Sequence, residues 1–139
     1  MPNLITIAVD AMGGENSPSK IIEGIKLHSS KSNNIFYKIF GNKDIIKKQI
    51  EKNSIKKEIF EIVHSEKEIE DTDTALAGAK RGKDTSMWMA IESVKNKESD
   101  IIVSAGNTGA LFVISKLNLQ MIQNIDKPAL SALWPNKLE

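Results

Sequence analysis

Asp100-Ile-Ile-Val-Ser-Ala-Gly-Asn-Thr-Gly-Ala-Leu-Phe112 opens as a buried strand, crosses a run of small polar residues and continues as a helix. Leu111, Ile114 and Leu117 recur at helical spacing, so Ser104-Ala-Gly-Asn-Thr-Gly109 falls where a parallel strand hands over to a helix. There the first helical N–H groups lack internal partners and the helix dipole is positive. Glycine admits an anion close to the backbone, and Ser and Thr hydroxyls add donors. The loop therefore suits a phosphate-like anion. A tight turn capped by Asn107 or Thr108 explains the same residues, and chemistry alone leaves both readings open.

The rest of the chain extends this pattern. Leu4 to Val9 is apolar on both faces, as a central parallel strand requires. Ser17-Pro18 predicts a helix start, with Ser17 as N-cap and the helix running to about Ser30. Ile35 to Phe40 and Ile59 to Val63 are predicted strands, separated by a lysine-rich amphipathic helix over Asp44 to Asn53. Residues 64–83 are the least regular stretch, with a short helix over Ala75 to Lys80. Another helix starts near Asp84, its expected N-cap. Ile101 to Val103 forms the next strand, followed by a long apolar helix from Asn107 to Ile122 and a last strand over Ala129 to Leu133. This alternation predicts an α/β fold in three layers, a mainly parallel sheet with helices on both faces. Ligands bind such sheets beyond the carboxyl ends of the strands.

Composition narrows the function classes. The 139 residues suffice for one domain with a core, and 40% apolar with 27% charged content is ordinary for a globular chain. A net charge of +1 gives no electrostatic case for nucleic acid. Arg81 stands alone among lysines. Cysteine is absent, so no thiol nucleophile is available. His28 and His64 lack metal-ligand spacing. The N-terminus carries no basic n-region or cleavage site of a signal peptide, and no run of about 18 apolar residues occurs. A cytoplasmic location is expected. Leu138-Glu139 has the form of a cloning scar, and the chain closes just after an apolar segment, as the N-terminal part (residues 1–137) of a longer protein would.

Four segments together resemble one bacterial family. They are Val9-Asp-Ala-Met-Gly-Gly-Glu-Asn-Ser-Pro18, Lys83-Asp-Thr-Ser-Met87, Val103-Ser-Ala-Gly-Asn-Thr-Gly-Ala-Leu111 and Ile125-Asp-Lys-Pro-Ala129. The first looks like the N-terminal signature of the phosphate acyltransferases of phospholipid synthesis, the PlsX family. The second is similar to that family's Lys-Asp-Ser-Ser-Met element, with Thr85 in place of Ser. The third matches its glycine loop, and in the fourth Lys127 stands where Arg is commoner.

The resemblance implies a fold similar to the isocitrate/isopropylmalate dehydrogenase type and an acyl transfer. A fatty acyl group passes from acyl carrier protein to inorganic phosphate, and a partner acyltransferase uses the acyl phosphate to acylate glycerol 3-phosphate. Neither a metal nor a cofactor is required. The implied whole protein is a homodimer, peripheral to the inner membrane, with a second half carrying an Asp-Val-Gly-Ala-Asn element. Asp10 and Asn107 are the candidate catalytic residues. Asp10 would orient Ser or Asn across the cleft or handle a proton, and its plain alternative is a loop Asp bonding its own turn. Gly13, Gly14, Ser86, Ser104, Ala105, Gly106, Thr108 and Gly109 are the candidate substrate-binding residues, with Gly106 leaving room for the anion. Competing readings are a phosphotransacetylase-like enzyme and a phosphate- or nucleotide-binding regulatory module. No Gly-x-Gly-x-x-Gly with a following acidic residue supports a dehydrogenase.

Overall fold

A computed structural model describes residues 4–135. Four strands, β1 (Ile5–Asp10), β2 (Ile35–Gly41), β3 (Phe60–His64) and β4 (Ile101–Ser104), form one sheet in the order β3-β2-β1-β4. Every pairing is parallel. Helices α1 (Ser19–Ser29) and α2 (Lys43–Asn53) carry the chain from β1 through β2 to β3. Helices α3 (Ala75–Lys80) and α4 (Ser86–Lys95) bring it back to the far side of β1, and α5 (Thr108–Asn118) follows β4. The sheet is thus wound in both directions from β1.

Strand alternation divides the core between two faces. Val9, Tyr37 and Ile39 pack with Ile22 and Ile25 of α1 and Ile46 and Ile50 of α2. Ala8 and Phe40 point the other way, against Ala90 of α4. Beyond α4, a third cluster joins Met87 and Ile91 to Ala79 of α3 and to Ala110 and Ile114 of α5. Ile22, Ile39, Ile46, Ile91 and Ile114 are fully buried, each contributing roughly 1.5–3 kcal/mol through area removed from water. These are the three layers that the strand–helix alternation predicts.

Local chemistry sets the element ends. Asn42 caps α2, its side chain accepting from the amides of Asp44 and Ile45. Thr85, rather than Asp84, caps α4 by accepting from Trp88 N–H. Asp84 instead pairs with Lys67 at 2.8 Å, a contact that pulls its carboxylate outward. Ser17 does not cap α1, which begins at Ser19; its hydroxyl donates to the Gly13 carbonyl at 2.5 Å. The helix after Asn107 stops at Asn118, short of Ile122, where Leu119 turns to an extended conformation. Ala129 to Leu133 forms no strand, for among the described residues it has no neighbour to pair with, and Leu133 is fully exposed. The expected scar at 138–139 lies outside the described residues.

Gly24 sits inside α1 with no heavy atom within 4 Å of where a Cβ would stand. Helical glycine costs backbone entropy that alanine does not. Gly24→Ala is therefore expected to raise unfolding stability by about 0.5–1 kcal/mol, read as a higher urea midpoint at unchanged slope. A lower midpoint would mean that another group occupies this space in solution.

Candidate functional site

The connection from β3 back to β4 makes the gap between β1 and β4 the switch point of the sheet, where adjacent strands send their following chain to opposite faces. Asp10 and Ser104 are register partners at the carboxyl ends of these two strands. Alternation turns both side chains toward the face that α4 covers. The two glycine loops therefore leave the sheet side by side, as the matched strand–loop–helix pattern predicts.

Asp10 is only 1% exposed, and a carboxylate this deeply buried needs donors. Ser86, the first residue of α4, donates its hydroxyl to Oδ1 at 2.6 Å. Ser104 donates to Oδ2 at 2.8 Å. Met12 N–H approaches Oδ1 at 3.3 Å. The N-terminus of α4 adds the positive end of its dipole. The Ser104 oxygen in turn accepts from Gly106 N–H at 3.1 Å. Asp10 thus holds one hydroxyl from each flanking element and, through Ser104, sets the first bend of the glycine loop.

Glycine at three loop positions is a packing requirement. A Cβ on Gly13 would lie 2.8 Å from Asp10 Oδ2 and 2.8 Å from Gly106 Cα. Gly14, at φ +89°, would meet the Ala105 carbonyl oxygen at 2.5 Å. A Cβ on Gly106 would lie 3.0 Å from Gly13 Cα and 3.3 Å from Met87 Cε. The lack of a side chain at Gly106 thus serves the backbone contact between the loops. Ala105 and Thr108 are exposed at the surface of the site.

Asn107 is the N-cap of α5, its Oδ1 accepting from Ala110 N–H at 2.9 Å. Its Nδ2 donates to the carbonyls of Asp73 at 2.6 Å and of Glu70 and Asp71 at 3.4 Å. Both ends of the side chain are committed. Among the described residues, nothing caps the amides of Thr108 and Gly109, the first two of α5. Gly109 lies against α3, where a Cβ would come 2.9 Å from Ala75 Cβ.

The sequence reading missed the 66–84 segment as a support of this site. Ser65 Oγ donates to the carbonyls of Lys67 and Asp84, and Ser86 N–H donates to the Lys67 carbonyl, which seats Ser86 under Asp10. Arg81 forks onto Asp73, with Nε at 2.5 Å from Oδ2 and a terminal nitrogen at 3.0 Å from Oδ1, and reaches Glu70 at 2.9 Å. The available signal was one arginine in a lysine-biased chain beside a cluster of acidic residues. His64 stands apart, bridging Lys43 N–H and Glu66.

Fold and site define a doubly wound α/β protein with paired glycine loops at its switch point. A family model described as fatty acid synthesis protein matches residues 5–139, and the chain belongs to that family. It is 63% identical over 137 residues to a phosphate acyltransferase of Pelagibacter ubique (strain HTCC1062), covering 99% of this chain and 40% of that protein. It is 39% identical over 132 residues to a phosphate acyltransferase of Parvibaculum lavamentivorans, covering 94% and 37%. It is 37% identical over 136 residues to one of Rhodopseudomonas palustris (strain BisA53), covering 97% and 39%. The chain spans about two fifths of the length of these curated relatives.

Two outcomes follow from the geometry. Gly13→Ala is expected to lower unfolding stability by about 1–3 kcal/mol through overpacking against Asp10 and Gly106, measured by urea titration; unchanged stability would show that the loops separate freely. The Arg81 guanidinium holds the Asp73 carboxyl below the usual carboxylate range. A carboxyl depressed in the folded state stabilises above its unfolded pKa and loses that contribution as pH falls through the folded one. Asp73→Asn should therefore flatten the stability loss on acidification below about pH 5, and a parallel pH profile would refute the assignment.

Proposed function

We propose that this chain supplies the phosphate-binding loops of an acyltransferase that moves a fatty acyl group from acyl carrier protein to inorganic phosphate. One observation carries the reading: two glycine loops meet at the switch point of a doubly wound sheet, beside the uncapped first amides of α5. The names of the relatives, phosphate acyltransferase, point to the same chemistry.

Phosphate attack on a thioester asks the protein for two things. The anion must be held in line with the carbonyl, and the developing oxyanion must meet fixed donors. The N–H groups of Thr108 and Gly109 and the Thr108 hydroxyl lie at the exposed end of α5. They bind the anion at the positive end of the helix dipole. Asp10 acts one step back. With both oxygens bonded to Ser86 and Ser104, it positions the hydroxyls and the Gly106 amide. Asn107 fixes the start of α5, so direct contact with the anion falls to the backbone. The acyl carrier protein thioester brings its own leaving group, so no protein nucleophile is needed and the lack of cysteine is no obstacle. The cytoplasm, where acyl carrier protein is available, is the corresponding location, with a homodimer as the working assembly.

Thr108→Pro tests the backbone donor. Proline at the first helical position removes one N–H at little cost to the helix, and Asn107, at φ −58° and ψ 109°, already lies outside the α region that a following proline disfavours. In the complete protein carrying this sequence, acyl-phosphate formation is measured across a phosphate titration. Thr108→Pro is expected to lose about 1.5–3 kcal/mol of kcat/KM for phosphate, and Thr108→Ala less. If the Pro variant folds and keeps wild-type phosphate dependence, this amide is not the anion donor. If the unaltered protein forms no acyl phosphate, the reaction assignment fails.

A further inference from the structure

We propose that Arg81, far from the glycine loop in sequence, is a positioning residue for that loop, acting through the 70–73 turn and Asn107. The inference rests on the anion-binding reading above and names a determinant of it that no sequence motif marks.

The chain of contacts is continuous. Arg81 forks onto both oxygens of Asp73 and pairs with Glu70. Asp73 Oδ2 also accepts from Glu70 N–H at 3.0 Å, and Asp73 N–H donates to the Glu70 carbonyl at 3.1 Å. Arginine therefore ties together the two ends of one tight turn. That turn presents the carbonyls of Glu70, Asp71 and Asp73 to a single group, Asn107 Nδ2. Three acceptors on one side of the amide leave one orientation possible, because only the NH2 end can face them. Oδ1 must then face the other way, where it caps Ala110 N–H. The cap fixes where α5 begins, and so where the Thr108 and Gly109 amides point.

An exposed ion pair ordinarily contributes little, because solvent screens it and ordering two long side chains costs entropy. This one differs in three respects. It is a two-pronged arginine–carboxylate contact, it joins a second carboxylate, and the Asp73 side chain is only 13% exposed. Losing Arg81 leaves Asp73 with the Glu70 amide alone and frees the turn to reorient its carbonyls. Lysine restores the charge but cannot make the fork.

The test uses inorganic phosphate as the probe, with binding followed by calorimetry and by amide signals of residues 104–110, alongside kcat and KM in the acyl-phosphate assay. Arg81→Gln is expected to weaken phosphate binding about three- to tenfold and to raise the phosphate KM more than it lowers kcat. It should also speed hydrogen exchange at Ala110 N–H. Arg81→Lys should fall between Arg81→Gln and wild type. In an Asn107→Ala background, Arg81→Gln should have no further effect, since the relay is already cut. Glu98→Gln, which removes an ion pair with Lys38 outside the relay, is the control and should leave phosphate binding unchanged. Should Arg81→Gln fail to fold, Asp73→Asn cuts the same link and carries the same expectations. Wild-type phosphate affinity in these variants, or effects that simply add to those of Asn107→Ala, overturns the relay alone. If the unaltered protein binds no phosphate and makes no acyl phosphate, the functional reading falls and the relay with it.

Discussion

The buried carboxylate of Asp10 is the constraint around which this site is arranged. A charge with 1% exposure must be surrounded by donors or it destabilises the fold by several kcal/mol. Its donors come from different elements: Ser86 at the start of α4, Ser104 at the end of β4 and the Met12 amide in its own loop. Satisfying one carboxylate therefore locks the end of β1, the start of α4 and the end of β4 to one another. Ser104 extends the lock to Gly106, and Gly13, seated over Asp10, closes the contact with the second loop.

A second support reaches the site from outside the sheet. The 66–84 segment has little regular structure, yet it is held by ion pairs, by carbonyls bonded to Ser65 and Ser86, and by the three carbonyls that clamp Asn107. Its short helix α3 meets α5 through small residues: a Cβ on Gly78 would lie 2.9 Å from Ala110 Cβ, and one on Gly109 at the same distance from Ala75 Cβ. Such close approach leaves α5 little freedom to slide, because interiors at crystal-like density have no spare volume. The amides at the head of α5 are thus held from below by Asp10 and Ser104, and from the side by the 70–73 turn.

The helix and strand pattern was legible because it depends on local periodicity. Val9 and Ile39, on one face, alternate with Ala8 and Phe40 on the other, and Ile46 and Ile50 recur at helical spacing. The pairing of the loops after β1 and β4 was legible too, since parallel strands send their carboxyl ends to one edge. Errors fell where a tertiary partner decides the outcome. Asp84 is a good cap by residue type, but Lys67 draws its carboxylate away and Thr85 takes the role. Ala129 to Leu133 has strand composition, but a strand requires a neighbour. Gly106 reads as space for a ligand, but its missing side chain is what allows Gly13 to approach.

By itself the sequence determined the layers, the strand–loop–helix junctions and the family signature, since these follow from hydrophobic period, turn chemistry and short motifs. It offered Asp10, Ser86, Ser104 and Asn107 as site residues without saying which touch one another. Tertiary structure alone decided that Asp10 holds two serines, that both ends of Asn107 are occupied, and that Arg81 reaches the loop through Asp73. The contacts of Asn107 with Asp73 and of Asp10 with its two serines join residues 34 to 94 positions apart. No local rule of residue type or spacing specifies such a pairing, because the distance it spans closes only when the sheet is wound.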